Sequence, residues 1–131
     1  MNDRLKFRIW DNIDKRYILT GCIDISKGIL SVNGFYEKNR FVIEQSTGLK
    51  DKNGKLIFEG DIYVPISDRS FKCVVGFIDG AFVAGQINEE FPEPIGWEAI
   101  DNQMCRSAEW LNTEVEVIGN IHENPELLGG K

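Results

Sequence analysis

The 131-residue sequence predicts a mainly β protein, a small antiparallel barrel or sandwich of SH3-like form with one or two short helices near the C-terminus. Two observations predict this class. Short segments in which apolar and polar residues alternate recur along the chain, as half-buried strands require. Glycine-containing turns, among them Asn33-Gly34 and Asp79-Gly80, separate these segments at short intervals. Since a chain of this length can bury a core of its own, we expect a single domain over residues 1–131.

The N-terminal segments are predicted to form two hairpins. In the first strand the odd-numbered apolar positions are expected to face the core, namely Leu5, Phe7 and Ile9. Residues 17–19 are expected to return antiparallel to this strand. Further along the chain, Asn33-Gly34 favours a type I′ turn that joins strands over residues 29–32 and 35–37.

The central segment, residues 47–62, contains two turns that depend on glycine. Asn53-Gly54 supplies residues that adopt positive φ, so residues 49–50 and 55–56 are predicted to pair as a tight hairpin. After Glu59-Gly60 the apolar residues alternate, which predicts a half-buried strand with Ile62, Val64 and Ile66 on one face and Tyr63 on the other. The residues expected to have structural roles in turns are Gly48, Asn53, Gly54, Gly60, Asp61, Asp79 and Gly80.

The C-terminal half begins with the clearest predicted hairpin, in which residues 71–78 and 81–86 flank Asp79-Gly80. Two prolines in residues 88–96 predict an exposed loop outside any sheet. Residues 103–111 are expected to form one or two helical turns, and residues 114–117 a last strand. Asn124 followed by Pro125 predicts a capped short helix.

The charge distribution bears on nucleic-acid binding. The chain has 15 Lys+Arg and 21 Asp+Glu, a net charge of −6, which opposes non-specific contact with phosphates. Residues 1–65 hold 11 basic and 9 acidic residues, a net of +2, whereas residues 66–131 hold 4 and 12, a net of −8. A basic face with one aromatic residue is therefore an alternative binding surface, made of Lys6, Arg8, Trp10, Lys50, Lys52 and Lys55. A solvated strand face is the more usual structure for such residues.

The residues available for catalysis are few. His122 is the single histidine, and no nucleophile elbow or phosphate-binding loop is present. The three cysteines are too far apart for a metal site, and Cys73 falls in an alternating apolar set that predicts a core position. Asp51, Glu59 and Asp61 could hold a magnesium ion in a metal-dependent hydrolase, although carboxylates beside glycine turns more often bond the backbone. We therefore expect no cofactor, no metal and no catalytic residues.

A family resemblance spans the chain. Residues 47–55, followed by residues 59–62, resemble the signature of the YopX family of phage and prophage proteins. Residues 7–11 and 117–127 resemble the family's opening and closing strands. The resemblance implies a small, mostly β protein encoded by phage, and it carries no established biochemical activity.

These observations together predict how the protein acts. No membrane span or signal-peptide core is present, so a cytoplasmic protein of the bacterial host cell is expected. The first hypothesis is a non-catalytic accessory protein that works through self-association or by binding a phage or host protein. The apolar centre of such an interface is predicted at three aromatic residues that flank the expected loop, Phe91, Trp97 and Trp110.

Overall fold

The computed structural model describes residues 6–18, 23–26, 29–34, 36–78, 80–88, 91–99 and 108–128. Side chains are described for these residues except 23–26, 29–30, 88, 91–99 and 108–110. Within this part of the chain the strands are β1 Phe7–Asp11, β2 Arg16–Ile18, β3 Ile23–Ser26, β4 Ile29–Val32, β5 Phe41–Lys50, β6 Leu56–Phe58, β7 Asp61–Pro65, β8 Lys72–Ile78, β9 Ala81–Asn88, β10 Phe91–Ala99 and β11 Val115–Asn120. Helix α1 spans Ala108–Glu114, and a 3-10 helix spans Pro125–Leu128. The predicted class, mainly β with short helices near the C-terminus, is confirmed.

The strands form antiparallel sheets of different sizes. Among the described strands, a four-stranded sheet has the order β2-β1-β5-β6, and a five-stranded sheet has the order β10-β9-β8-β7-β11. Strands β3 and β4 pair with each other. The β8–β9 hairpin continues to its end, where Phe77 faces Phe82 and Ile78 faces Ala81, as predicted. Asp79, the first residue of its turn, lies outside the described residues.

The main core joins the two larger sheets. Ile57 of β6 packs in one cluster with Tyr63, Cys73 and Val75 of the five-stranded sheet, and Leu111 of α1 closes this cluster. Cys73 is buried, in agreement with its predicted core position. The helix and the first sheet therefore cover the same face of the second sheet.

Strand β7 is buried along its whole length, so the prediction of a half-buried strand is wrong. Tyr63 points into the main core, whereas Ile62 packs with Val74 and Ile87 in a second cluster on the opposite face. Leu127 and Leu128 of the 3-10 helix cover that second cluster. The alternation of residue types could not reveal this, because the covering residues lie at the far end of the chain.

Two local predictions are also wrong. Residues 91–96 do not form a loop: β10 pairs with β9, and its prolines are tolerated because β10 is an edge strand among the described strands and has register shifts. Residues 89 and 90 lie outside the described residues. Asn33 and Gly34 have positive φ, at 53° and 83°, but β4 pairs with β3. Tyr36 and Glu37 lie outside the strands, and Phe35 lies outside the described residues.

The prediction for the odd-numbered residues of β1 is confirmed for Ile9, which is buried, and wrong for Phe7, while Leu5 lies outside the described residues. Phe7 is 52% exposed, whereas Trp10, placed on the opposite face, is only 3% exposed. The face of β1 that carries Trp10 is covered by residues from the turn after β11, which no local pattern could show.

Residues 103–107 of the predicted helical segment lie outside the described residues, and α1 begins at Ala108. No helix in the described ranges has the length and apolar character needed to cross a membrane.

Candidate functional site

A cluster of buried and half-buried charged and aromatic side chains lies where the two larger sheets meet. We call it the ionic junction, and its members are Arg8, Trp10, Tyr17, Glu44, Asp61 and His122. Strands β1, β2 and β5 supply the first four of these residues, and β7 and the turn after β11 supply the other two. The junction thus combines residues separated by most of the chain.

Arg8 is the centre of the ionic junction. Its Nε donates to Glu44 Oε1 at 2.8 Å, and its Nη2 donates to the carbonyl oxygen of Glu59 at 2.9 Å. The guanidinium carbon lies 4.7 Å from the ring centroid of Tyr17 and 4.8 Å from that of Phe58, so the cation contacts two aromatic rings. Burial by itself lowers the pKa of Arg8, but the carboxylates of Asp61 and Glu44 raise it overall. Arg8 is therefore a fixed positive charge that binds both sheets.

Both carboxylate oxygens of Glu44 have internal donors. Oε1 accepts hydrogen bonds from Arg8 and from the Tyr17 hydroxyl, the latter at 2.8 Å. Oε2 lies 3.1 Å from Nε2 of His122. Burial raises the pKa of Tyr17, which keeps its hydroxyl protonated and able to donate. Since the Glu44 side chain is only 4% exposed, these three donors replace the water that it loses on folding.

The carboxylate of Asp61 accepts fewer hydrogen bonds than that of Glu44 within the described residues. Its Oδ2 accepts a hydrogen bond from the backbone N–H of Phe58 at 2.8 Å. Its Oδ1 lies 2.8 Å from Arg8 Nη2, but within the described residues no donor is aligned for a hydrogen bond to this oxygen. Burial raises the pKa of Asp61, although the charge of Arg8 opposes this shift. Asp61 is thus a buried carboxylate held mainly by charge attraction.

The aromatic members of the junction form a compact stack. Trp10 and His122 are parallel within 11°, with ring centroids 4.9 Å apart, and Tyr17 meets Trp10 edge-on at 5.0 Å. The indole N–H of Trp10 donates to Asn12 Oδ1 at 2.9 Å. Because all three rings are packed against one another, the histidine is fixed in position beside Glu44.

Gly60 has a conformation that the junction requires. Its φ is +83°, and an added Cβ would collide with Glu44 Oε2 and lie 3.5 Å from Ile121. Its N–H donates to the carbonyl oxygen of Val75, and its own carbonyl accepts from the N–H of Ile121. A side chain at this position would strain the backbone and displace a buried carboxylate at the same time.

Asp51 binds the β5–β6 turn to β11. Its Oδ1 accepts hydrogen bonds from the N–H groups of Asn53 and Lys55, and its Oδ2 accepts one from Val117 at 2.9 Å. Lys52 adds a backbone bond to the carbonyl oxygen of Val115. The edge of β11 is covered in this way, which keeps its backbone groups from pairing with another chain.

The three carboxylates of the predicted metal alternative have separate partners. Asp51 bonds three N–H groups, Glu59 accepts from the N–H of Gln45, and Asp61 belongs to the ionic junction. Among the side chains that the structure describes, no three from His, Cys, Asp and Glu are grouped so that they could hold a metal ion. The structure therefore does not bring Asp51, Glu59 and Asp61 together as one metal-binding group.

The alternative nucleic-acid surface is divided by the fold. Arg8 is bound by two carboxylates and Trp10 is buried, so neither residue faces solvent as that surface requires. The other four members are exposed: Lys6, Lys50, Lys52 and Lys55. The aromatic platform on which a base would stack is therefore lost.

The remaining predicted residues are placed as follows. Gly48, Gly54 and Gly80 have positive φ angles of 81°, 77° and 82°. Phe91 and Trp97 lie in β10, and Trp110 lies in α1; the side chains of all three are outside the described set. Sequence reasoning missed Glu44 and Tyr17. The available signal for Glu44 was a carboxylate in the middle of an otherwise weakly charged ten-residue strand.

The carboxylates of the ionic junction are engaged by groups of the protein itself. A general base needs a polar atom that can reach a substrate, and here every carboxylate oxygen of Glu44 and Asp61 has an internal partner at 3.1 Å or less. Its position between the sheets indicates that it fixes how they pack.

Comparison with known proteins gives the family. The family model described as YopX protein matches residues 6–129. The crystal structure of protein EF1440 from Enterococcus faecalis is similar, with 35% identity, a TM-score of 0.59, and coverage of 94% of this chain and 96% of that one. YopX from Bacillus subtilis, at 20% identity and a TM-score of 0.53 over 98% and 99% of the two chains, shares the fold. Curated proteins gave no match. The family match extends over nearly the whole chain, and this chain therefore belongs to the YopX family.

Proposed function

We propose that this chain is a non-catalytic accessory protein, encoded by a phage or prophage, that acts in the cytoplasm of a bacterial host by binding a protein. The partner is either a second copy of the chain or another phage or host protein. The observation that supports this best is the exposed apolar end of the β8–β9 hairpin. We call this surface the hairpin tip and define it by Phe77, Ile78 and Phe82.

The hairpin tip exposes more apolar surface than its strands need for their own packing. Phe77 is 46% exposed and its neighbour Ile78 is 42% exposed. Phe77 and Phe82 face each other across the hairpin and pack edge to face, with ring centroids 4.9 Å apart. Paired aromatic rings on a rigid hairpin are typical of the central residues of protein interfaces, because they offer a large contact area with little side-chain freedom to lose.

The ionic junction supports the non-catalytic part of the proposal. Its carboxylates are bound by Arg8, Tyr17, His122 and a backbone N–H, so they act on the protein itself. The nucleic-acid alternative has less support, because Arg8 and Trp10 are engaged inside the fold. The uneven charge of the two halves, +2 and −8, favours attraction between unlike faces of two copies.

Light scattering tests self-association. We expect the wild-type chain to exceed the monomer mass at micromolar concentration, and the Phe77→Ser, Ile78→Thr variant to return to the monomer. Phe7→Ser is the matched control, since Phe7 is equally exposed but lies in β1. Repeating the measurement at 50 and 500 mM salt shows whether charge contributes to the contact.

If the wild-type chain is a monomer, affinity capture from nuclease-treated host cells decides the matter. A protein that binds the wild-type chain and the Phe7→Ser variant, but not the Phe77→Ser, Ile78→Thr variant, supports the proposal. A monomer that retains no such protein refutes it. A partner that disappears on nuclease treatment favours nucleic-acid binding instead.

A further inference from the structure

We infer that a cavity beside the β1–β2 turn binds a small carboxylate with an apolar body. The cavity has a volume of about 240 Å³. We call it the Arg16 cavity; its charged wall includes Asp14, Arg16 and Arg40, and its apolar wall is Ile18, Val32 and Phe41. It lies apart from both the ionic junction and the hairpin tip, so this inference does not depend on the proposed function.

Arg40 lies in the wall of the cavity, and its guanidinium group is hydrogen-bonded to carboxylates of the protein. Its Nε and Nη2 bond the two oxygens of Asp11 at 3.0 and 2.9 Å, and its Nη1 bonds Glu37 at 2.9 Å. Arg40 and Asp11 form a two-point pair, and Nη2 of Arg40 also lies 3.3 Å from Asp14 Oδ2, so the positive charge of Arg40 is neutralised by carboxylates of the protein. Neither of these residues is available to attract a ligand by its charge.

Arg16 is more exposed than Arg40 and is less tightly paired. Its side chain is 70% exposed, and its Nη2 lies 3.8 Å from Asp14 Oδ2, which is too long for a hydrogen bond. Within the described residues, this contact is the one ion pair that Arg16 makes. A guanidinium has five N–H donors in a planar fork that matches a carboxylate. A ligand carboxylate can therefore form the two-point contact that Asp14 does not form.

The apolar wall of the cavity determines which group the ligand carries beside its carboxylate. Ile18 and Phe41 are half-buried and Val32 is fully buried, which offers an apolar surface next to the Arg16 fork. The volume lies below the range of roughly 300–1,000 Å³ that is usual for drug-sized ligands. A single branched or aromatic group attached to a carboxylate fits both properties. Such a group occurs in small organic acids and at the C-terminus of a protein chain.

NMR titration of the isotope-labelled full-length chain tests the inference. We expect 4-methylpentanoate, at millimolar concentration, to shift the resonances of Arg16, Ile18 and Phe41 in a saturable manner. The matching amide, 4-methylpentanamide, should cause no such shifts, because it lacks the negative charge. Asp14→Asn should strengthen binding, since it removes the competing carboxylate beside Arg16.

Two variants distinguish binding in the Arg16 cavity from non-specific binding elsewhere on the surface. Arg16→Gln should weaken binding at least tenfold, and we expect the variant to fold normally because the Arg16 side chain is 70% exposed. Arg69→Gln is the matched control, since Arg69 is also an exposed arginine paired with one carboxylate, that of Glu116. Equal binding of the acid and the amide, or equal loss in both variants, would overturn the inference, as would the absence of any saturable shift.

A second pair of probes identifies the source of the carboxylate. A tetrapeptide that ends in leucine is compared with 4-methylpentanoate, each as the free acid and as the amide. Tighter binding of the peptide acid than of 4-methylpentanoate indicates a protein C-terminus, and the reverse order indicates a small organic acid. Binding of the acids alone supports the inference in either case.

Discussion

Two buried aspartates in this protein are paired with arginine, and their environments differ. Asp11 accepts two aligned bonds from Arg40 and further bonds from the backbone N–H groups of Ile13 and Asp14. The Arg40 hydrogen bonds lower the pKa of Asp11, and the backbone donors add to this effect. Asp61 is as close to Arg8 but lacks an aligned donor at Oδ1, and burial raises its pKa.

The comparison shows that two carboxyls equally close to a guanidinium can have pKa values shifted in opposite directions. Hydrogen bonds from Arg40 outweigh burial at Asp11, whereas burial outweighs the charge of Arg8 at Asp61. Arg40 serves carboxylates that lie around one turn, so its fork can align with Asp11. Arg8 divides its donors among Glu44, Asp61 and a backbone carbonyl, which come from both sheets. Arg8 therefore joins parts of the chain that are far apart in the sequence.

Replacement of Arg8 should give the largest effect. We expect Arg8→Leu to lower the free energy of unfolding by about 3–5 kcal/mol, since it leaves the buried carboxylates of Glu44 and Asp61 without their cation. Urea unfolding followed by tryptophan fluorescence measures this. As a control, Arg69→Leu should change stability by less than about 1 kcal/mol, because its ion pair is exposed. Similar losses in the two variants would show that the junction does not hold the sheets together.

A side chain at Gly60 should have the next largest effect. We expect Gly60→Val to lower the free energy of unfolding by about 2–3 kcal/mol, roughly 1–2 from the left-handed backbone and the rest from displacement of Glu44. Gly54→Val is the matched control, with a φ of +77° and open space around its Cβ, so only the backbone part applies. Equal melting temperatures for the two variants would contradict the role of Glu44 in this difference.

Replacement of Arg40 should have a smaller effect than replacement of Arg8. We expect Arg40→Gln to lower the free energy of unfolding by less than Arg8→Leu does, because Asp11 keeps two backbone donors when the guanidinium is removed. The same urea experiment applies. A loss greater than that of Arg8→Leu would reverse the order that the comparison predicts.

The smallest effects concern pH. Because the pKa of Asp11 is lowered on folding, its stabilisation is present above the ordinary carboxyl pKa of about 3.9 and is lost as the pH falls. Because the pKa of Asp61 is raised, its contribution is greatest below that value and decreases as the pH rises. The stability difference between the wild type and Asp11→Asn should therefore shrink on acidification, whereas that for Asp61→Asn should change in the opposite direction. Carbon-13 titration of the two carboxyls checks the signs directly, and shifts of the same sign would end the comparison.

Several local features could be predicted from the sequence because their causes lie within a few residues. The β8–β9 hairpin and the β5–β6 turn follow from alternating apolar residues around glycine, and both are present. The family resemblance, carried by residues 47–55 and 59–62, agrees with the match over residues 6–129. The short helices near the C-terminus are present for the same local reasons, with Pro125 at the start of the 3-10 helix.

Other features could not be predicted, since they depend on residues distant in the chain. Local pattern placed Trp10 on the outer face of β1, but His122 covers that face and buries the ring. The sequence suggested that Arg8 belongs to a basic surface. In the fold its guanidinium group is paired instead with Glu44 and Asp61, whose side chains are buried. The prolines of β10 indicated a loop because the sequence does not show that this strand lies at the edge of its sheet.

The sequence by itself determined the class of the protein, most of its turns and its family, because strand alternation and positive φ are properties of neighbouring residues. Only the tertiary structure decided that Glu44 is the common acceptor for Arg8, Tyr17 and His122, and that β7 is covered on both faces. The physical reason is that burial and charge pairing depend on distances in space. In this fold those distances join residues that are far apart in the sequence, such as Glu44 and His122, which are 78 positions apart.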